Sequence, residues 1–161
     1  MERKDAERRR SILGVGVAAS ALLLLSACGH DLPTIDTETV RIAAAAGANA
    51  DSPVKVALVF ALDADAMQTV STLSAADWFR DANDPNDIVR AHPAGFRVST
   101  YEVAPLHSAT HAVTDEEEEA VAAFVFARYQ GPGTHRARID RLESPTIRLG
   151  PTFFTIDSAE N

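Results

Sequence analysis

Residues 53–62 carry the pattern that most constrains the fold. Two sets of side chains alternate there: the larger set is Val54, Val56, Leu58, Phe60 and Leu62, and the other is Lys55, Ala57, Val59 and Ala61. A period of two places the larger set on one face of a β-strand. A second alternating segment, residues 40–44, precedes it, and the turn-forming residues of 47–53 separate the two. The pattern predicts two strands joined as a hairpin by a loop of several residues.

Residues 64–81 lose the alternation and indicate a short helical insertion. Ser74 and Asp77 have the spacing of a capping box, which begins a helix. Trp78 and Phe79 are expected to pack this insertion onto the strands, with an exposed contact for a partner as the alternative. Residues 81–87 are rich in Asp, Asn and Pro and predict a loop.

Strand patterns resume after the insertion, over residues 96–103, 107–114, 120–130, 134–141 and 147–156. Residues 120–130 are apolar on both faces, which is typical of a strand covered on two sides. Residues 134–141 alternate arginine with apolar residues, as in an edge strand. Seven or eight short strands predict an all-β fold, an antiparallel β-sandwich with the helical insertion between the second and third strands.

The N-terminal residues have the three parts of a secretory signal. Basic residues at 3–10 precede the apolar run of 12–25, which is shorter than the ~20 residues a bilayer-spanning helix needs. Leu25-Ser26-Ala27-Cys28 resembles the bacterial lipobox, so we predict cleavage before Cys28 and a diacylglyceryl group on its sulfur. An ordinary signal cleavage site beside a free cysteine is the alternative. The Arg9-Arg10 pair leaves open a twin-arginine route or a plain basic start.

These patterns divide the chain into four parts. Residues 1–27 are the predicted lipoprotein signal peptide, 28–37 a flexible tether, 38–157 the β-sandwich domain and 158–161 a tail. Lipid on Cys28 holds such a domain at a membrane. Gly29 follows the cysteine, and the absence of an Asp there favours the outer membrane.

Charge excludes one class of partner. The chain has 15 basic and 23 acidic residues, and removing the five basic and three acidic ones before Cys28 leaves 10 and 20. The mature chain is thus strongly acidic and repels nucleic-acid phosphates, so we expect no nucleic-acid partner.

No residue pattern predicts catalysis, a metal or a cofactor. His107 and His111 lie four apart in a strand-like stretch, where that spacing separates them by roughly 13 Å, so we interpret both as surface histidines. The acids of 81–87 lack the closing Glu of a calcium loop. The acidic run 115–119 is expected to be solvated and to cap a turn, with a docking patch for a partner as the alternative. We therefore predict no enzyme and no small-molecule substrate.

Four features in order resemble the TssJ family, the outer-membrane lipoproteins of type VI secretion systems. They are a lipobox with a short tether, Ser52-Pro53-Val54-Lys55-Val56 leading into a long alternating strand, Ala75-Ala76-Asp77-Trp78-Phe79 in the insertion, and an acidic turn at Asp115 leading to an apolar strand that ends at Tyr129. The chain departs from the family at Gln130-Gly131, where Arg-Asp is common, and at His135-Arg136, where Trp-Arg is common.

The resemblance implies a transthyretin-like sandwich anchored in the outer membrane and facing the periplasm. It implies binding to the periplasmic domain of the inner-membrane secretion subunit TssM. The family contact is the loop between the first two strands, here Gly47, Ala48, Asn49, Ala50, Asp51 and Ser52; an ordinary hairpin connection is the alternative. The competing functions are another sandwich-type envelope lipoprotein acting in secretion or envelope assembly, and a lipid-anchored ligand-binding protein or enzyme.

Overall fold

The structure, a computed structural model, describes residues 33–80, 88–92 and 94–158. These residues fold as two four-stranded sheets with four short helices. The predicted signal peptide, Cys28, the loop at 81–87 and the end of the tail lie outside these residues. The strands are β1 Thr39–Ala44, β2 Val54–Ala61, β3 Phe96–Val103, β4 Ser108–Ala112, β5 Ala122–Arg128, β6 Arg136–Arg138, β7 Thr146–Leu149 and β8 Phe154–Asp157. The helices are α1 Ala64–Ser71, α2 Ala75–Trp78, α3 Ile88–Ala91 and α4 Asp115–Glu118.

The sheets have the strand orders β4-β1-β7-β8 and β3-β2-β5-β6. The predicted all-β sandwich is confirmed, with one difference in strand direction: β1 and β7 pair in parallel, with Ile42 opposite Ile147. The other five strand pairs are antiparallel.

The predicted hairpin between the first two strands is wrong. β1 lies between β4 and β7 in one sheet, while β2 lies between β3 and β5 in the other. The loop at 45–53 therefore crosses from sheet to sheet. The alternation correctly predicted which residues of each strand face the core. It does not distinguish a hairpin from two strands on opposite sides of one core, because the apolar faces of β1 and β2 are buried in either arrangement.

The main core fills the space between the sheets. Val54, Val56, Leu58 and Phe60 of β2 face it, as the alternation predicted. The opposite face of β2 is also buried, because Ala57, Val59 and Ala61 pack beneath the helices. β5 is covered on both faces in the same way, with Val125 in the main core and Phe126 under the helices.

The helical insertion is fixed to the outer face of β2 and β5 by aromatic packing. Trp78 stacks on Phe126 with ring centroids 5.2 Å apart and meets Phe96 edge-on at 6.1 Å. Phe79 is half-buried beside them, and the Lys55 ammonium lies 5.6 Å from its ring centroid. The capping box is present: the Asp77 N–H donates to the Ser74 hydroxyl oxygen, and the Ser74 N–H donates to the Asp77 carboxylate. The Ser74 hydroxyl also donates to that carboxylate, which lowers the pKa of Asp77.

Strand register gives the sandwich two distinct ends. The loops 45–53, 104–107, 129–135 and 150–153 lie together at one end, which we call the loop end. Residues 33–38, α4 and the connection 139–145 lie at the opposite end, which we call the tether end. Domain contacts start before residue 38, because the Ile35 amide donates to the Ala120 carbonyl and the buried Thr37 hydroxyl donates to the Ile139 carbonyl.

Candidate interaction site at the loop end

The predicted contact loop, residues 47–52, has an unusual backbone. Gly47 has φ +72°, and Asn49, Ala50 and Asp51 follow with φ of +48°, +53° and +57°. For Ala50 this left-handed conformation costs roughly 1–2 kcal/mol, and for Asn49 and Asp51 it costs less because their short polar side chains can bond locally. Three such residues in a row persist only where surrounding contacts hold them.

Asn49 supplies most of those contacts. Its side chain is buried, and its amide oxygen accepts a hydrogen bond from the Gln130 backbone N–H at 2.8 Å. Its side-chain nitrogen donates to the Pro53 carbonyl at 3.2 Å, and its backbone N–H donates to the Gly150 carbonyl at 3.2 Å. Asn49 thus connects the β1–β2 loop to the loops that follow β5 and β7.

The six residues predicted for partner binding divide by exposure. Ala48 and Asn49 are buried, Gly47 and Ser52 are half-buried, and Ala50 and Asp51 are exposed. Ser52 accepts a hydrogen bond from the Gln130 side chain at 3.1 Å. Ala50 and Asp51 are therefore the residues that the loop presents outward, while the others hold its shape.

Two exposed apolar side chains at the loop end were missed by sequence reasoning. Leu106, in the β3–β4 turn, is 78% exposed, and Phe153, after the β7–β8 turn, is 59% exposed. Single exposed apolar side chains are common on protein surfaces, so these two count only as apolar area at the same end as the contact loop. Each lies shortly after a turn proline, Pro105 or Pro151, and that was the available signal.

The Tyr129 side chain adds a buried hydroxyl beneath the loop end. Among the residues the structure describes, this hydroxyl has no hydrogen-bond partner. Burial raises the pKa of Tyr129 to about 12, and a weak contact with the Gly150 backbone, whose N–H already donates to the Phe153 carbonyl, opposes this rise without satisfying the hydroxyl. The ring packs against His135 with centroids 4.8 Å apart.

The acidic run at the tether end is not wholly solvated, contrary to the sequence interpretation. Glu117 is only 4% exposed, and its carboxylate accepts hydrogen bonds from the backbone and hydroxyl of Thr114, at 2.9 and 3.2 Å, and from the Ser99 hydroxyl at 3.2 Å. A one-turn helix, α4, turns Glu117 inward while its neighbours remain exposed.

His111 completes this buried group and was wrongly expected at the surface. Its Nε2 lies 2.9 Å from Glu117 Oε2 and its Nδ1 lies 2.8 Å from the Tyr101 hydroxyl. Burial, and then the charge of Glu117, raise the pKa of Tyr101. His107 is exposed as predicted. The alternation of side chains along β4 directs His111 inward, and both of its ring nitrogens have hydrogen-bond partners there.

Within residues 33–80, 88–92 and 94–158, no three His, Cys, Asp or Glu side chains are grouped so as to hold a metal ion. In the same part of the chain, no helix has the length and apolarity to cross a bilayer. The loop at 81–87, where the calcium-loop pattern was rejected, and the lipidation residue Cys28 lie outside it.

Sequence comparisons found no relative: no family model matches the chain, and no curated protein matches it. Solved structures do match. The type VI secretion lipoprotein TssJ1 of Pseudomonas aeruginosa aligns with a TM-score of 0.55 at 15% identity, over 80% of this chain and 99% of that one. Serratia marcescens Lip, described as a membrane-bound component of the type VI secretion system, aligns with a TM-score of 0.54 at 13% identity, over 80% and 100%.

A structure described as the TssM C-terminal domain of the type VI secretion system from EAEC also aligns, with a TM-score of 0.55 at 14% identity over 76% of this chain and 98% of that one. At identities this low, the structural agreement establishes the fold alone. The chain therefore has the fold of the type VI secretion lipoprotein TssJ.

Proposed function

We propose that the chain is a lipid-anchored envelope protein of a type VI secretion system. In this proposal it is held in the outer membrane by lipid on Cys28, faces the periplasm and binds the periplasmic domain of the inner-membrane subunit TssM. The TssJ fold and the lipobox at Leu25–Cys28 support this role independently.

The arrangement of the two ends is the observation that carries the proposal. The described chain begins with residues 33–38 at the tether end, while the loop at 47–52 lies at the other end of β1. Pro33 lies five positions after Cys28 in the sequence, and an extended chain covers at most about 3.6 Å per residue. A lipid on Cys28 would therefore hold the tether end near the membrane and leave the loop end accessible to a protein in the periplasm.

The loop end suits protein binding because its shape is already fixed. Hydrogen bonds from Asn49 hold the β1–β2 loop, so little conformational entropy remains to be lost on association. Asp51 offers an exposed negative charge that complements a basic surface, and Leu106 and Phe153 offer apolar area on neighbouring loops. In this role the protein joins membrane and partner by contacts alone, without making or breaking a covalent bond in the partner.

Binding of the full chain, in detergent, to the purified periplasmic domain of TssM from the same genome tests the proposal. We expect Asp51→Lys to weaken binding at least tenfold, about 1.4 kcal/mol. The matched control is Glu119→Lys, which makes the same charge change at an exposed residue of the tether end. Unaltered binding by the Asp51 variant removes the loop from the proposal, and no binding by the wild-type chain removes the partner.

A further inference from the structure

A small cavity lies on the outer face of the β3-β2-β5-β6 sheet, where α2 meets the turn between β5 and β6. Its volume is about 230 Å³, and it is lined among others by Ala75, Ala76, Phe79, Arg128, Gly133 and His135. A cavity of about 150 Å³ can hold a benzene ring, whereas pockets for drug-sized ligands start at about 300 Å³. The cavity is therefore of a size for a single ring or a short branched chain.

Hydrogen bonds between its two walls hold the cavity in shape. The Ala75 N–H of α2 donates to the Thr134 carbonyl of the turn at 2.7 Å, and the Arg136 guanidinium donates to the Leu73 carbonyl at 2.7 Å. Aromatic packing of Trp78 also holds α2 on the sheet. The cavity is thus formed before a ligand enters, which lowers the entropy cost of binding.

The turn that forms the second wall has an unusual backbone. Gly133 has φ +152°, and His135 follows with φ +42°. The His135 Nε2 donates to the Gly131 carbonyl at 3.2 Å, and the His135 ring packs against Tyr129. The ring lies so close to Gly133 that an added Cβ there would stand 2.6 Å from Nε2. Glycine at position 133 therefore allows the His135 ring to form part of the wall.

Two positive side chains stand directly opposite each other beside this cavity. Lys55 of β2 is in register with Arg128 of β5, and both are exposed on the outer face of the sheet. Arg128 lines the cavity, and the Lys55 ammonium lies 5.6 Å from the ring centroid of Phe79, another lining residue. Like charges directly opposite each other destabilise a sheet. A bound anion would offset this repulsion.

Among the residues the structure describes, no acid forms an ion pair with either cation. The neighbouring elements β3 and α2 carry one acid each, Glu102 and Asp77. Glu102 lies opposite Lys55 in the register without pairing with it, and the Asp77 carboxylate is already paired with Arg80 at 2.8 Å. The described lining residues include no acid. In a mature chain with 20 acidic and 10 basic residues, the positive charge of Lys55 and Arg128 is thus locally uncompensated.

From these observations we infer that the cavity binds an organic anion, a carboxylate carried on an apolar stem of about one ring. The carboxylate pairs with the Arg128 guanidinium, whose donors match a planar oxyanion, and Lys55 adds to the attraction. The stem enters beside Ala76 and Phe79. The site is separate from the β1–β2 loop, and its test does not involve TssM.

The probe is benzoate, added to the full chain in detergent and measured by equilibrium dialysis. We expect a dissociation constant in the millimolar range, as its small size implies. Benzyl alcohol keeps the ring without the charge, and acetate keeps the charge without the ring, so each should bind at least tenfold more weakly. Absence of benzoate binding, or equal binding by either analogue, would overturn the inference.

Variants at exposed positions locate the bound anion. Arg128→Gln should weaken benzoate binding at least tenfold, because it removes charged hydrogen bonds, and Lys55→Gln should weaken it by about threefold. Ala76→Glu adds a carboxylate to the cavity wall and should also weaken binding at least tenfold.

Arg41→Gln is the matched control. Arg41 is an exposed arginine on the outer face of the other sheet, without an ion-pair partner in the described part of the chain, so benzoate binding should be unchanged. Urea unfolding checks that each variant is folded. Equal effects of the Arg128 and Arg41 substitutions would contradict the site.

Two sources of such a carboxylate give different results. A tripeptide of two glycines and a C-terminal phenylalanine that binds more tightly than benzoate would identify the end of a protein chain as the ligand. A tripeptide that binds no more tightly than benzoate would identify a free organic acid. Either result supports the site, whereas equal binding of the tripeptide and its C-terminal amide would contradict recognition of a carboxylate.

Discussion

The side-chain oxygen of Asn49 accepts a hydrogen bond from the backbone N–H of Gln130, 81 positions away in the sequence, at 2.8 Å. This bond ties a loop of left-handed residues to the end of a central strand. It makes the shape of the proposed contact loop depend on a residue that the partner does not need to touch.

Replacing Asn49 by alanine should lower the free energy of unfolding by about 1–3 kcal/mol, because the Gln130 N–H loses its partner in a partly buried position. Ala50→Gly should raise it by about 0.5–1 kcal/mol, because glycine accepts φ near +53° without steric cost. Urea unfolding measures both. Opposite effects at adjacent residues are expected, and a neutral Asn49 variant would contradict the role given to its side chain.

Glu117→Ala should destabilise the domain by about 2–4 kcal/mol. The change leaves the buried His111 without its acceptor, and it also removes the acceptor of the half-buried Ser99 hydroxyl and of the Thr114 backbone. Glu118→Ala is the matched control, since Glu118 is exposed on the same helix turn and should change the unfolding free energy by less than about 0.5 kcal/mol. Equal effects of the two substitutions would contradict the buried cluster.

Alkaline titration should separate the two tyrosines of the chain. The pKa of Tyr129 is raised to about 12 from 10.0, so the folded state holds a proton that the unfolded state releases above pH 10. Stability is therefore retained below pH 10 and declines from pH 10 towards 12. In Tyr101→Phe, tyrosinate absorbance reports Tyr129 alone, and ionisation near pH 10 in the folded protein would contradict its burial.

The same hydroxyl gives a stability prediction at neutral pH. Because the Tyr129 hydroxyl is buried and has no hydrogen-bond partner among the described residues, Tyr129→Phe should leave the unfolding free energy unchanged or raise it by up to about 1 kcal/mol. Tyr129→Phe should also reduce the fall of the unfolding free energy between pH 10 and 12. Thermal unfolding at several pH values measures both, and a large loss at pH 7 would indicate a partner for the hydroxyl.

Cys28→Ser should release the protein from membranes while leaving the domain folded. The serine has no thiol to receive a diacylglyceryl group, and acyl chains supply the membrane affinity at about 0.8 kcal/mol per buried methylene. Metabolic acyl labelling followed by flotation checks this. Ser26→Ala keeps a small residue before the cysteine and serves as the control, and a Cys28 variant that still floats would show another anchor.

Local pattern was enough to predict the strands. The alternation from Val54 to Phe60 identified the residues facing the main core, and the two apolar faces of β5 predicted cover on both sides. The capping spacing of Ser74 and Asp77 likewise located a helix start. Each of these features depends on residues a few positions apart, so the sequence alone carries them.

Features that depend on distant residues were missed. Whether β1 pairs with β2 or with β4 and β7 depends on the competition between whole strands. The pairing of Ile42 with Ile147 joins residues that are distant in the sequence. The inward turn of Glu117 depends on donors from Ser99 and His111, which no charge pattern reveals. The composition of residues 47–52 predicted a turn. It did not predict that Asn49 is buried while Asp51 is exposed.

The placement of β1 has a mechanical consequence. The strand next to the tether is bonded on both sides, to β4 and to β7, and these bonds lie across the strand axis. Tension transmitted from the N-terminus along Thr39–Ala44 therefore loads two ladders in shear together, instead of peeling an edge strand one bond at a time. A domain built in this way resists extraction under load better than its thermodynamic stability alone would predict.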